Sequence, residues 1–396
     1  MCSARWSLGM ERRALLVLGS AVLIASQGVL ALGSPASAAG GCAVKNLTSG
    51  STGTNLQDLI DTARRGETIR VRGTCVGNFR IRRSLHLTGQ PTTLRPHPTL
   101  DGGGVGRVVK IKGKASPHVT FKNLTVTGGV AKHGAGIRGV LHSPTVVLKG
   151  STTVIGNSAQ GSGGGIYNFG GTVRLRGSSS VTDNTATANG GGVYIYAGSV
   201  RLRGFSSVTD NTATVGGGIH TDGGLVRLRG WSSVAGNTAS YGGGINNSGS
   251  LTYGTVRLLG ASSISGNTAK RLGGGIHNFG GTARLKDSSS VTGNTAPTGG
   301  GIYNQPDGTV RLLDSSSVTD NTATNGDGGG IDNYRGRVRL RGSSSVTDNT
   351  ATDAGGGIHN TGTVSACDST GVDEWIGAIS PNTPDDPPTP TPITCS

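Results

Sequence analysis

The chain has 396 residues, of which 72 are glycine, and it carries a formal net charge of +15 at pH 7. This composition alone is typical of a flexible low-complexity chain, but the same short phrases recur at regular intervals, which excludes that class. The sequence also lacks the motifs of P-loop nucleotide-binding proteins, HExxH zinc proteases and GxSxG hydrolases.

The first segment has the three parts of a secretory signal. Arg5, Arg12 and Arg13 precede an apolar run and small residues follow it, so we predict cleavage after Ala38. The alternative is an uncleaved anchor, because the apolar run is nearly long enough to span a bilayer. We expect residues 1–38 to be a signal peptide, with no membrane span in the chain that follows.

Four cysteines remain once Cys2 leaves with the signal. An even number in an exported protein indicates disulfides, and no CxxC or Cys/His cluster indicates a metal site. Four cysteines permit three pairings, and we favour the two local ones. These predicted disulfides join Cys42 to Cys75 and Cys367 to Cys395.

The positive charge is concentrated in the middle of the chain. The signal removes a net charge of +2, and residues 366–396 hold five acidic residues and no basic one, so residues 39–365 carry +18. An exported body with this charge should attract polyanions.

Residues 39–66 are predicted to form an N-terminal cap. In the phrase NLQDLIDTA, Leu56, Leu59 and Ile60 fall on one helical face, and Asn55 suits the N-cap position. A short helix here would cover the first coil and keep its open strands from pairing with another molecule.

A Val/Ile-x-x-Asn motif recurs within residues 67–365 at intervals of 27, 27, 26, 30, 27, 27 and 28 residues. Each unit contains three short segments of alternating apolar and polar residues, such as GGGIYN, TVRLRG and SSVTDN, which is typical of strands. A fixed period of this length indicates a solenoid. We therefore predict an all-β fold, a parallel β-helix, and crossover chirality favours the right-handed form. The motif asparagines are Asn157, Asn184, Asn211, Asn237, Asn267, Asn294, Asn321 and Asn349.

Stacked coils give the repeated residues structural roles. The motif asparagines should form a hydrogen-bonded ladder, and the glycine triplets should supply positive φ and allow close approach between coils. Residues 366–396 should form a C-terminal lid and Pro-rich tail, in which Asn382 repeats the motif in degraded form. A second ladder, interrupted at Ile195 and Thr221, should run through Asn168, Asn247, Asn278, Asn304, Asn333 and Asn360.

GGGIYN, GGGIHN and VTDNTA resemble the GGAI and FxxN motifs of secreted bacterial right-handed β-helix repeat proteins related to the polymorphic outer membrane proteins. The resemblance covers roughly residues 128–365. It implies a pectate-lyase-like fold, export, and a surface or adhesive role, without a particular chemistry. Valine or isoleucine replaces the family's phenylalanine, and no barrel segment follows, which favours release or cell-wall retention.

The strand TVRLRG should place one arginine of each coil outward, because its valine and leucine point inward. Neighbouring cations about 4.8 Å apart repel by roughly 0.9 kcal/mol in water, so their repetition favours a track for an acidic polymer. The alternative is a solvated face whose charges prevent sheets from adhering. The predicted row is Arg174, Arg201, Arg227, Arg257, Arg284, Arg311 and Arg339.

A second outward column follows the glycine triplets. Aromatic faces and hydrogen-bonding tips in a row suit a sugar chain, although a merely polar strand face is the alternative. The predicted binding residues here are Tyr167, Tyr194, His220, His277, Tyr303 and His359, with Asn246 and Asp332 at the same position of the repeat.

Most carboxylates are repeated or isolated, and only Asp327, Asp332 and His359 form an irregular grouping. We therefore predict a non-enzymatic, monomeric protein that needs no cofactor and binds acidic polysaccharide or another cell-wall polyanion. The alternative is a polysaccharide lyase or hydrolase acting on a uronate polymer. Nucleic acid is a poorer ligand, because export removes the usual targets.

Overall fold

The computed structural model describes residues 41–91, 97–140, 142–249, 254–367 and 382. In this part the chain is an all-β parallel β-solenoid of about ten turns with one short helix. The predicted fold class and capping helix are therefore confirmed. The signal, the Cys367 to Cys395 pairing and all of the lid beyond residue 367 except Asn382 lie outside the described residues.

The N-terminal cap consists of one helix, Leu56–Thr62, and two antiparallel strands, Ala43–Asn46 and Thr52–Gly53. Asn55 is the N-cap residue, since its side-chain oxygen accepts a hydrogen bond from the backbone N–H of Gln57 at 2.9 Å. The helix buries Leu56, Leu59 and Ile60 against the first coil. Cys42 and Cys75 form the predicted disulfide, which ties the cap to the solenoid.

The first long sheet carries the arginine strands and has 14 strands in the described residues. All its neighbouring pairs are parallel except those made by Ala43–Asn46 at the capped edge. In spatial order the strands are Thr52–Gly53, Ala43–Asn46, Thr68–Arg72, Leu85–Gly89, His118–Lys122, Thr145–Lys149, Thr172–Gly177, Ser199–Gly204, Leu225–Gly230, Thr255–Leu259, Thr282–Leu285, Thr309–Leu312, Arg337–Arg341 and Thr363–Cys367.

The second long sheet holds the valine of each Val/Ile-x-x-Asn motif and has 11 parallel strands in the described residues. They are Thr74–Val76, Thr99–Asp101, Thr125–Thr127, Thr153–Ile155, Ser180–Thr182, Ser207–Thr209, Ser233–Ala235, Ser263–Ser265, Ser290–Thr292, Ser317–Thr319 and Ser345–Thr347.

The third long sheet follows the glycine triplets and also has 11 parallel strands in the part of the chain described. They are Phe79–Ile81, Val109–Ile111, Ile137–Gly139, Ile166–Phe169, Val193–Tyr196, Ile219–Asp222, Ile245–Ser248, Ile276–Asn278, Ile302–Asn304, Ile331–Asn333 and Ile358–Asn360.

Two minor sheets lie between the second and third strands of the coils. Most of their strands contain a Thr-Ala or Ser-Ala pair whose alanine is buried, and the exception is Val130–Ala131, whose alanine is only partly buried. Their strands are Val130–Ala131, Ser158–Ala159 and Thr185–Ala186 in one, and Thr238–Tyr241, Thr268–Leu272, Thr295–Ala296, Thr322–Ala323 and Thr350–Ala351 in the other.

The asparagine ladder is present as predicted. Asn211 Nδ2 donates to Thr209 O at 2.7 Å and to Asn237 Oδ1 at 3.0 Å, while its Oδ1 accepts from the backbone N–H of Asn184. Each ladder asparagine is almost wholly buried, so these bonds satisfy polar atoms that water does not reach. The second ladder runs unbroken from Asn247 to Asn360, with amide-to-amide distances of 2.7 Å.

The glycine triplets allow a tight turn and a close approach between neighbouring coils. Gly216 has φ +64°, a conformation that L side chains rarely adopt. A Cβ on Gly217 would lie 2.5 Å from the carbonyl oxygens of Thr238 and Gly243 in the next coil. Glycine is therefore required at both positions, for a different reason at each.

Candidate functional site

The seven predicted arginines form one row on the first long sheet. Strand register pairs Arg174 with Arg201 and Arg201 with Arg227, and the pairing continues through Arg339. The flanking valine or alanine and leucine of each strand are buried, so the arginines are the outward residues and are half-exposed or exposed. The arginine row consists of Arg174, Arg201, Arg227, Arg257, Arg284, Arg311 and Arg339, and binding by it stays a prediction.

No acidic side chain neutralises the arginine row among the described residues, where the ion pairs are Lys286 with Asp314 and His359 with two aspartates. Burial and then the neighbouring arginines lower the pKa of Arg174 and of Arg227. The Nε atoms of Arg174, Arg201, Arg227 and Arg284 are shielded and have no hydrogen-bond partner. The row therefore offers uncompensated charge and unused donors.

A second cationic column runs beside the first in the early coils. Arg176, Arg203 and Arg229 are paired in register. Between the two columns lies a shallow cavity of about 130 Å³, lined by arginines of both and by Leu175. Its walls present four guanidinium groups within two coils, which suits a carboxylate or phosphate held by paired N–H donors.

Phe205 and Trp231 lie next to this cationic surface, and sequence reasoning missed them. Each follows the glycine that ends an arginine strand, and each residue is 68% exposed. Ser206 Oγ accepts a hydrogen bond from the backbone N–H of Arg203 at 3.0 Å, which fixes the turn that bears Phe205. Other coils have serine or alanine at this position, and that departure from the repeat was the available signal.

The predicted column on the third long sheet is also in register. Tyr167 pairs with Tyr194, Tyr194 with His220, and the pairing continues through His277, Tyr303 and His359. These residues therefore occupy the same position in successive coils. Binding by them stays a prediction.

Ring stacking within this column covers the faces that a sugar would contact. The rings of Tyr167 and Tyr194 lie 4.9 Å apart at 14°, and those of Tyr194 and His220 lie 5.3 Å apart at 5°. Both faces of the Tyr194 ring are therefore covered by neighbouring rings. Burial raises the pKa of Tyr194 to about 12 and lowers those of His220 and His277 to about 4.

The irregular grouping at the C-terminal end of the column is brought together by the fold. His359 Nδ1 lies 3.1 Å from Asp332 Oδ1 and 3.7 Å from Asp327 Oδ2. The hydrogen bond to Asp332 raises the pKa of His359, while burial raises the pKa of Asp332. This cluster is the only place in the described residues where a histidine and two carboxylates meet.

Neither a metal centre nor a membrane helix is found in the described part of the chain. No group of three His, Cys, Asp or Glu residues there is arranged to hold a metal ion. No helix in these ranges has the length and apolar character to cross a bilayer.

The stacked coils, the inward asparagines and the glycine triplets can be compared with known families. Residues 151–168 match the family model described as the Chlamydia polymorphic membrane protein (Chlamydia_PMP) repeat. The chain is similar to polymorphic-membrane-protein-type β-helix repeat proteins. The matched segment contains Asn157, the following glycine triplet and Asn168. No curated protein and no solved structure matches the chain.

Proposed function

We propose that this chain is an exported, surface-associated adhesive protein that binds acidic polysaccharide through its arginine row. A polymorphic-membrane-protein-type repeat supports a surface role. The observation that carries the ligand assignment is the register of seven arginines, one in each coil, without an acidic partner in the described residues. A polymer with one carboxylate per sugar can meet such a row repeatedly.

The exposed aromatic pair supports a sugar ligand over a simple polyanion. Phe205 and Trp231 lie on adjacent coils, next to Arg203 and Arg229. Sugar rings have apolar C–H faces that pack on aromatic rings, whereas their carboxylates pair with guanidinium groups. The coils around residues 201–231 therefore offer both aromatic rings for the sugar faces and guanidinium groups for the carboxylates. They form the centre of the proposed surface.

Binding of polygalacturonate and alginate at low and high salt tests the proposal. Replacing Arg201, Arg227 and Arg257 together by glutamine should weaken binding roughly tenfold at low salt and less at high salt, because exposed ionic contacts are screened. The matched control removes the same charge elsewhere, through Lys132→Gln, Lys270→Gln and Arg335→Gln. Equal loss in both triple variants would mean that only net charge matters and would refute a specific row.

The aromatic pair has its own test. Phe205→Ser and Trp231→Ser restore the serine found at this position in other coils, so they should leave folding unchanged. We expect them to weaken binding of acidic polysaccharide at high salt, where charge contributes least. Unchanged high-salt affinity would show that the surface recognises charge alone.

A second candidate is hydrolysis of a uronate polymer at the His359 cluster. It is favoured by one observation, the proximity of Asp327 and Asp332 to a single histidine, with Asp332 buried and its pKa raised. Glycoside hydrolysis uses two carboxyl groups of which one is kept protonated. Incubation with polygalacturonate should then release reducing ends, and Asp332→Asn should abolish that release.

A further inference from the structure

A large basic cavity lies at the N-terminal end of the solenoid, away from the predicted binding residues. Its volume is about 860 Å³, within the range of small-ligand sites. The cap and the first coil contribute Arg65, Arg80, Arg82 and Arg83 to its wall. The next coil contributes Lys110, Lys112 and Lys114. Seven cationic residues therefore line one concavity, and no acidic residue lies among its described lining residues.

Hydrogen bonds to the cap fix the arginine side of this cavity. Gln57 of the capping helix accepts from the backbone N–H of Arg80 at 2.8 Å and donates to its carbonyl oxygen at 3.1 Å. Arg83 Nη1 donates to Ala63 O, just beyond the helix, at 2.7 Å. These hydrogen bonds fix the backbone of Arg80 and the side chain of Arg83 against the cap, although several cationic groups of the wall are exposed.

The lysine side is held by strand pairing and carries concentrated positive charge. Lys110 pairs in register with Arg80 on one side and Arg138 on the other, so three cations occupy consecutive coils. Burial, and then Arg107, Arg138, Lys112 and Arg80, lower the pKa of Lys110. Repulsion of this kind is relieved by an anion that contacts several of the cations at once.

We infer that this cavity binds a compact polyvalent oxyanion carrying several phosphate or sulfate groups. Lysine ammonium groups act as point charges toward phosphate, and arginine forks pair with its oxygens in two-point contacts. The concave shape distinguishes this site from the arginine row, which is spread along seven coils and suits an extended chain. The inference does not depend on the proposed function of that row.

Titration of the full chain with inorganic tripolyphosphate by isothermal calorimetry tests the inference. We expect one tripolyphosphate per chain, with an affinity at least tenfold weaker in the Lys110→Gln, Lys112→Gln variant. The matched control is Lys270→Gln, Arg335→Gln, which removes the same charge from positions outside both the cavity and the arginine row and should leave the affinity within twofold. Far-UV circular dichroism and the unfolding midpoint verify that both variants fold.

Lysine acetylation provides a second measurement that requires no variant. Bound tripolyphosphate should protect Lys110, Lys112 and Lys114 from acetylation and leave Lys270 as reactive as before. A parallel titration with sucrose octasulfate, a compact sulfated sugar, distinguishes free phosphates from a sulfated sugar as the source of the oxyanions, and binding of either at the lysine side of the cavity supports the inference. Absence of binding by both probes, or equal loss in the two double variants, would overturn it and leave the arginine row untouched.

Discussion

The backbone N–H of Asn349 donates a hydrogen bond to Oδ1 of Asn382 at 2.9 Å, across 33 residues of sequence. Asn382 Nδ2 in turn donates to Val346 O at 3.2 Å. The degraded motif of the C-terminal lid therefore continues the asparagine ladder by one step. The last complete coil is closed by the same contact that joins the coils before it.

Loss of this contact should destabilise the end of the solenoid. Asn382→Ala removes the acceptor of two buried donors of Asn349, at a cost of about 1–3 kcal/mol. Because each coil contacts only its neighbours, hydrogen exchange should accelerate at Asn349 and remain slow at Asn211. Asn325→Ala, an exposed asparagine, is the control and should change neither. Uniform acceleration along the chain would contradict nearest-neighbour coupling.

The central glycine of a triplet should not tolerate any side chain. Gly217→Ala places a Cβ 2.5 Å from two carbonyl oxygens of the next coil, so we expect a loss of at least about 3 kcal/mol in the free energy of unfolding. Urea titration measures this. Gly41→Ala, whose Cβ would meet nothing within 4 Å, should lie within about 0.5 kcal/mol of the parent chain.

Stability should fall on mild acidification because of two buried histidines. Burial lowers the pKa of His220 and His277 to about 4, so both are neutral in the folded chain at pH 7. Between pH 6.5 and 4 the unfolded chain binds protons more readily than the folded chain does. The free energy of unfolding should therefore fall by on the order of 3 kcal/mol for each histidine across that window. His220→Asn with His277→Asn should flatten the decline, since Asn246 occupies the same position one coil away. An unchanged slope in urea titrations at pH 7, 5.5 and 4.5 would refute this assignment.

His359 should respond to pH in the opposite sense. Its hydrogen bond to Asp332 raises its pKa above the ordinary value, so its contribution is complete below about pH 6.5 and is lost as pH rises through the folded-state pKa. NMR titration of the imidazole measures this pKa directly. Asp332→Asn should lower it, and a pKa that stays elevated in that variant would mean that Asp327 supplies the interaction.

The disulfide should stabilise the N-terminal cap. Cys42 and Cys75 are 33 residues apart, and closing a loop of that length corresponds to roughly 3–4 kcal/mol in the chain-entropy model. We expect the Cys42→Ser, Cys75→Ser variant to lose about that amount in urea unfolding. Protection from hydrogen exchange should be lost first at the capping helix, and equal loss in the last coil would contradict a local effect.

The sequence by itself determined the solenoid, its register, both asparagine ladders and the arginine row. A period of 26 to 30 residues forces equivalent residues onto equivalent positions once strands pair with the next coil, so Arg201 must lie beside Arg227. The cap helix could also be predicted from the sequence, because an N-cap asparagine and one apolar face are local signals.

Only the tertiary structure decided what those rows expose. The faces of Tyr194 are covered by its neighbours, and His220 is buried, because side-chain rotamers depend on the adjacent coils. The basic cavity joins Arg65 of the cap to Arg80 and Lys110 of the first coils, so no sequence period aligns the three residues. In the regular coils each residue packs against its equivalent in the next coil, so the spacing of the sequence is enough to predict which residues meet. The cap is not part of the repeat, and its packing against the first strands depends on contacts that no sequence spacing encodes.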